Sequence, residues 1–279
     1  MSTPWDKGSH PDVPRPKGID FIRIILRAAG LIALVFGGLV VLVVLRLIER
    51  PFCGENRPIT PHITQFVCRN ALRIAGLKLR VTGTPMQGRG AVVANHSSWL
   101  DIFALNAVKR VYFVSKSEVA AWPGIGWLAR ATGTVFIERN PARARMQTQL
   151  FRDRLLAGHK LLFFPEGTST DGLQVLPFKT TLFEAFFTPD LRGRIAVQPV
   201  AVIYRAPAGR DARFYGWWGS MEFGAHVLAV LAPATAGAVE VVYCTPLPVA
   251  DFDNRKTLAA ACEAAVRRAH TEMLDAPAG

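Results

Sequence analysis

Ala91-Val92-Val93-Ala94-Asn95-His96-Ser97-Ser98-Trp99-Leu100-Asp101 changes character part-way along. The first four residues form a short apolar run of the kind a buried strand needs. From Ser98 to Val108 the pattern is helical, so a strand ends and a helix begins around His96. Working outward, the same alternation repeats. Val111–Val114 reads as a strand, 118–131 as a helix, Thr134–Ile137 as a strand and 141–156 as a helix. Leu161–Phe164, Ile195–Tyr204 and Val239–Tyr243 are further strands, and Ala259–Met273 closes the chain as an Ala-rich helix. Strands alternating with helices predict an α/β fold, a sheet with helices on its faces, over residues 80–279.

Upstream of residue 80 the chain is different. Residues 1–18 form a polar, Pro-rich tail, and a membrane helix is expected over 19–50. Within it, Ala28–Leu45 is a run of eighteen residues that are all apolar or Gly. That length suits a bilayer-spanning or deeply inserted helix. Arg23 and Arg27 precede the run, and Arg46 and Arg50 follow it, so loop charge does not set the orientation. The rival reading, a signal peptide, would place a small-residue cleavage site after the apolar run. The chain instead has Arg46-Leu47-Ile48-Glu49-Arg50, which favours a retained anchor. Residues 51–79 read as a Pro-punctuated loop and an amphipathic helix from Ile63 to Leu77. Its apolar stripe fits either the membrane interface or the core of the main domain.

Composition narrows the partners. Against 33 Lys and Arg stand 21 Asp and Glu, a formal net charge of +12. Such an excess favours anionic partners: membrane lipids, an acidic carrier protein or a phosphate-bearing substrate. The cations are dispersed and no nucleic-acid-binding motif accompanies them, so nucleic acid fits worst. The four cysteines lie far apart with no Cys-x-x-Cys pair, which suggests neither a zinc site nor a disulfide scaffold.

Four segments can carry chemistry. In the first, His96 should lie at the carboxyl end of a strand, where α/β sheets gather their ligands. Imidazole suits removal of a proton from an alcohol, and Asp101 in the first helical turn could fold back onto its other nitrogen. Ser98-x-x-Asp101 is equally a capping box that only starts the helix. In the second segment, Gly133–Arg139, Arg139 would present its fork to a phosphate or carboxylate, or simply pair with Glu138. The third is Phe164-Pro165-Glu166-Gly167-Thr168. It is either a polar-headgroup site, with Glu166 and Thr168 gripping a ligand close to Gly167, or a surface turn. The fourth, Val197–Val202, is an apolar strand carrying Pro199. The Gly124-x-Gly126-x-x-Ala129 match to a dinucleotide fingerprint lacks its leading strand, and no Gly-x-Ser-x-Gly elbow occurs.

In this order the segments resemble the glycerolipid acyltransferases typified by 1-acylglycerol-3-phosphate O-acyltransferases. That pattern is Asn-His-x4-Asp, then Gly-x-x-Phe-Ile-x-Arg, then Phe-Pro-Glu-Gly-Thr, then a hydrophobic Pro strand. The resemblance spans roughly residues 80–250 and implies an acyltransferase-type sheet preceded by a membrane helix. It implies His96 as general base with Asp101 as its orienting partner, Arg139 as a phosphate grip, and Glu166, Gly167 and Thr168 as the acceptor turn. Lys116 is a further basic candidate near the phosphate. It also implies acyl carrier protein or acyl-coenzyme A as donor, a lysolipid as acceptor, and no metal, cofactor or covalent acyl-enzyme. Because such donors are cytosolic, the catalytic domain is expected on the cytoplasmic face of the inner membrane. A non-catalytic lipid-binding protein would have no use for the His96, Asp101 and Glu166 set.

One departure bears on the acceptor. Many phosphatidate-forming members carry a basic residue after Phe-Pro-Glu-Gly-Thr, whereas this chain has Ser169-Thr170-Asp171. That brings in a sister group resembling lyso-ornithine lipid acyltransferases. On the motifs alone lysophosphatidate stands slightly ahead, and both acceptors remain open.

Overall fold

A computed structural model describes residues 5–6, 10–11, 16–138 and 144–276. The helices are α1 (Ile19–Cys53), α2 (Thr60–Ala75), α3 (Asp101–Val108), α4 (Ile125–Thr132), α5 (Ala144–Leu156), α6 (Pro189–Arg192), α7 (Phe223–Leu231) and α8 (Arg255–Asp275). The strands are β1 (Leu77–Thr82), β2 (Gly90–Ala94), β3 (Tyr112–Lys116), β4 (Val135–Ile137), β5 (Leu161–Phe163), β6 (Ala196–Arg205), β7 (Gly237–Tyr243) and β8 (Leu247–Pro248). They form one mixed sheet in the order β1-β7-β6-β2-β5-β3-β4, with β8 antiparallel to β6. The central block β6-β2-β5-β3-β4 is parallel, while β7 runs antiparallel to β6.

Strand β2 shows why the sheet is covered on both sides. Val92 and Ala94 face one apolar cluster with α2, α3 and α7, while Ala91 and Val93 face another with α8. A strand apolar on both faces belongs in the middle of a parallel sheet. Because β2, β5, β3 and β4 run the same way, the residues that follow them emerge along one edge.

Three elements depart from the sequence expectations. The helix expected over 118–131 is broken into a 3-10 turn over Ser117–Ala121 and then α4. Pro123 keeps Trp122 extended, and Gly124 follows at φ 71°, so a continuous helix cannot pass. The helix expected to reach Leu77 stops at Ala75, because Gly76 takes the left-handed conformation and caps it. Leu77–Thr82 then forms an edge strand that pairs parallel with β7, so the sheet begins before residue 80. The helix expected over 141–156 is seen from Ala144; residues 141–143 lie outside the described ones.

The N-terminal apolar helix is long enough to cross a membrane, yet it is also joined to the globular body at both ends. Near its start, Arg23 donates to Ala232 O, and Arg27 donates to Leu231 O and Pro233 O, which satisfies carbonyls at the C-terminal end of α7. Near its end, the Glu49 carboxylate accepts from Ile59 N, Thr60 N and the Thr60 hydroxyl, capping α2. Between these ends, Gly38 lies so close to Val67 that a Cβ would sit 2.5 Å from its methyl. Helix α2 in turn buries Cys68, Ala71, Leu72 and Ala75 and leaves Phe66 exposed. Its stripe therefore serves the core, and only its outer side is free for an interface.

Candidate active site

The junction after β2 is held by side chains standing in for backbone. The Asn95 side-chain amide donates to Val202 O, and its oxygen accepts from Val202 N. This extends the β2–β6 ladder past the register pair Ala94–Val200 and turns the next residue out of the sheet. The His96 backbone is held on both sides: its N–H donates to Glu166 Oε2 at 3.0 Å, and its carbonyl accepts from Thr170 N at 3.0 Å.

The His96 ring stacks on Phe164, with centroids 4.1 Å apart and planes 13° from parallel. Its Nδ1 lies 2.7 Å from Asp101 Oδ2. That same oxygen accepts from Ser97 N at 2.9 Å and Ser98 N at 3.1 Å, while Oδ1 accepts from the Tyr204 hydroxyl at 2.7 Å. Asp101 is fully buried. An acceptor ringed by donors requires Nδ1 to be the protonated nitrogen, which leaves the lone pair on Nε2. This resolves the capping-box alternative. The carboxylate does bind the Ser98 amide, but Ser98 Oγ has no partner, so the reciprocal half of the box is missing.

Tyr204 was not legible as a site residue. It reaches Asp101 from β6, 103 residues downstream. Burial and the adjoining Asp101 carboxylate hold its phenol protonated, well above the ordinary range. A neutral phenol that donates to Asp101 orients the carboxylate against His96. Tyr204→Phe should therefore lower kcat about tenfold, in line with loss of one hydrogen bond to a charged group, and leave both KM values nearly unchanged. The titratable groups bordering this network are Glu166, below the His96 backbone, and Tyr215, 5.6 Å from Tyr204 between ring centroids. An unchanged kcat in a folded Tyr204→Phe protein would assign the phenol to packing alone.

Glu166 departs from its expected place as a headgroup grip. It is 2% exposed, and its two oxygens accept from His96 N and Leu176 N. Burial pushes its carboxyl up to about 8, against the pull of those two amides. The side chain thus braces the loop that carries His96 and does not face the open side of the turn. Gly167 follows at φ 71°, and a Cβ there would lie 2.7 Å from Lys179 Nζ. Both its conformation and the close approach of that lysine call for glycine. Lys179 was missed in the sequence, yet it brings a cation to the turn from the following loop, where Ser169 supplies none. Thr168 is half-buried, its Oγ1 accepting from Trp5 N at 3.3 Å. Lys116 is exposed at the end of β3, on the same sheet edge. Arg139 lies outside the described residues; β4 ends at Ile137, on that edge. Among the described residues no cluster of three or more His, Cys, Asp or Glu is set to hold a metal.

Three residues beyond His96, Trp99 meets Phe103 and Phe223 edge-on and donates from Nε1 to His226 Nδ1 at 2.9 Å. Burial takes His226 down to about 4, so it stays neutral. The Phe164 ring stacked on His96 gives the imidazole an apolar neighbour, which suits chemistry on a molecule with a long hydrocarbon part.

Comparison with known proteins agrees with this geometry. Residues 78–203 match the family model described as Acyltransferase. A lyso-ornithine lipid O-acyltransferase of Rhodobacter capsulatus is 57% identical over 96% of this chain and 97% of its own. One from Pseudomonas aeruginosa is 35% identical over 89% and 93%. A 1-acyl-sn-glycerol-3-phosphate acyltransferase of Neisseria gonorrhoeae is 43% identical over 34% of this chain and 37% of its own. The crystal structure of the acyltransferase PlsC from Thermotoga maritima shares the fold, with a TM-score of 0.63 at 22% identity, covering 94% of this chain and 97% of that one. With the Glu166 turn and β6 bonded to the loop of His96 and Asp101, and with relatives matched along nearly their whole length, the chain belongs to the acyltransferase family.

Proposed function

We propose that the chain transfers a fatty acyl group from a thioester, on acyl carrier protein or coenzyme A, to the free hydroxyl of a lyso-ornithine lipid, with lysophosphatidate as a second acceptor. His96 Nε2 takes the hydroxyl proton as the oxygen attacks the thioester carbonyl. Collapse of the adduct expels the thiolate, which receives the proton from the imidazolium. The observation that carries this reading is the short Nδ1–Asp101 contact, which frees Nε2 for the acceptor. Acceptor choice rests on the full-length likeness to lyso-ornithine lipid O-acyltransferases. The motifs alone put lysophosphatidate slightly ahead; these relatives move lyso-ornithine lipid to first place. Lys116, Arg139 and Thr168 are the candidates to hold the headgroup, and Glu166 and Gly167 shape the turn.

Helix α1 supports the membrane setting. Its 35 residues would extend about 52 Å, longer than a hydrocarbon core of about 30 Å. Because both ends are hydrogen-bonded to one globular body, a helix lying along the inner membrane's cytoplasmic face fits better than one crossing it. Cytosolic donors then reach the site directly. This also makes α1 part of the fold, so its removal would cost packing and caps as well as the anchor.

An assay on detergent-purified protein, offering both acceptors with both thioesters, tests the reading. Transfer to lyso-ornithine lipid with the higher kcat/KM supports it, and failure with every lysolipid would overturn it. Ser169→Arg should then shift the kcat/KM ratio about tenfold towards lysophosphatidate, since ~1.4 kcal/mol is a modest gain for a doubly charged phosphate. Arg139→Lys should raise the acceptor KM and leave the donor KM alone, because a point charge replaces a fork. If Ser169→Arg leaves the ratio unchanged, position 169 does not face the headgroup.

A further inference from the structure

The excursion between β3 and β4 is not explained by catalysis. Val119–Ile137 contains a single charged residue, Arg130, and its guanidinium is turned back to Ala120 O at 2.7 Å. Trp122 is 44% exposed and Trp127 62%, with Ala121 and Pro123 exposed beside them. The other end of α4 is fixed. Arg57 donates to Ala131 O and Arg154 to Gly133 O, so the tryptophan-bearing end is presented from a braced base. Gly124 packs against Phe36 of α1, 3.7 Å from where a Cβ would stand. The exposed rings therefore continue the apolar outer face of α1, which includes Ile32, Phe36 and Val40.

We propose that this excursion is a second membrane contact, placing Trp122 and Trp127 in the lipid interface and holding the mouth of the acceptor site against the bilayer. Indole rings settle at the level of lipid headgroups, where one end is apolar and the other hydrated. A protein partner such as an acidic carrier fits poorly, because the one cation of Val119–Ile137, Arg130, is engaged with Ala120 O and the exposed tryptophans carry no charge. The excursion leaves the sheet at Lys116 and returns to it just before Arg139, so its roots flank candidate acceptor residues. A lysolipid can thus enter laterally, its headgroup at the sheet edge and its chain still in the membrane. This consequence rests on the proposed function; the membrane contact itself does not.

The full chain, bound to vesicles of phosphatidylcholine and phosphatidylglycerol brominated near the headgroup, provides the test. Tryptophan fluorescence should be quenched, and Trp122→Phe/Trp127→Phe should remove most of that quenching while the protein stays bound through α1. Quenching undiminished in that double variant would overturn the proposal. Trp122→Glu/Trp127→Glu should lower kcat/KM about tenfold for a long-chain lysolipid in vesicles and leave a short-chain, water-soluble acceptor unaffected. Equal loss on both acceptors, or none on either, would count against a role in delivery. An enzyme inactive on every lysolipid but showing tryptophan-dependent quenching would sink the proposed function and keep the contact.

Discussion

His96→Ala should lower kcat by about two to four orders of magnitude, the range lost when a positioned general base is removed, with both KM values close to wild type. The fold should survive. The His96 backbone is pinned by Glu166 and Thr170, and neither bond uses the imidazole. The ring is partly exposed, so truncation opens a notch in the surface more than a sealed cavity. What the variant loses is a group whose free nitrogen is set up by a buried carboxylate. Ser97 and Ser98 cannot substitute as nucleophiles, being fully buried. The measurement is steady-state acyl transfer on protein whose melting is within a few degrees of wild type. Activity within a factor of a few would remove His96 from the mechanism.

Much of this site could be read from the chain because its parts are local. A strand of Ala and Val running into Asn-His, with Asp five residues on, carries its own geometry: the first helical turn brings residue 101 back over residue 96. The parallel edge could also be anticipated, since Lys116, Arg139 and the Glu166 turn each follow a strand-like run. What could not be read depends on which strands become neighbours. Tyr204 meets Asp101 only because β6 pairs with β2 and extends past it, and no local pattern marks that phenol. Glu166 was misplaced for a related reason. Pro-Glu-Gly-Thr has the composition of an exposed turn, and only the approach of the His96 and Leu176 amides draws the carboxylate inward. The break before Pro123 was legible in principle, because Pro restricts the residue before it. The apolar periodicity on both sides concealed it. The two ends of α1 illustrate the limit again: Arg23, Arg27 and Glu49 read as flanks of an anchor, and all three are caps of other helices.

Asp101→Asn should cost about a hundredfold in kcat and much less in stability, whereas Asp101→Ala should cost both. In serine-protease triads an Asp-to-Asn change leaves the histidine in the wrong tautomer. The surroundings of Asp101 predict otherwise here. Two backbone N–H groups, from Ser97 and Ser98, point at the Oδ2 position and cannot turn away. They would oblige the asparagine to place its carbonyl oxygen there and its amide nitrogen opposite Tyr204. That hydroxyl can rotate and accept where it formerly donated. His96 Nδ1 would still meet an acceptor, so tautomer and ring position are kept and only the negative charge is lost. The loss then falls on the imidazolium formed as the acceptor is deprotonated, and roughly 2–3 kcal/mol is a reasonable share for one charge-assisted hydrogen bond. Alanine would instead leave two amides and a phenol buried without partners, at about 1–3 kcal/mol each. Melting temperature and kcat for the two variants, measured side by side, separate these expectations. An asparagine variant as inactive and as unstable as the alanine one would show that the oxygen does not hold the Oδ2 position, and the tautomer argument would fail with it.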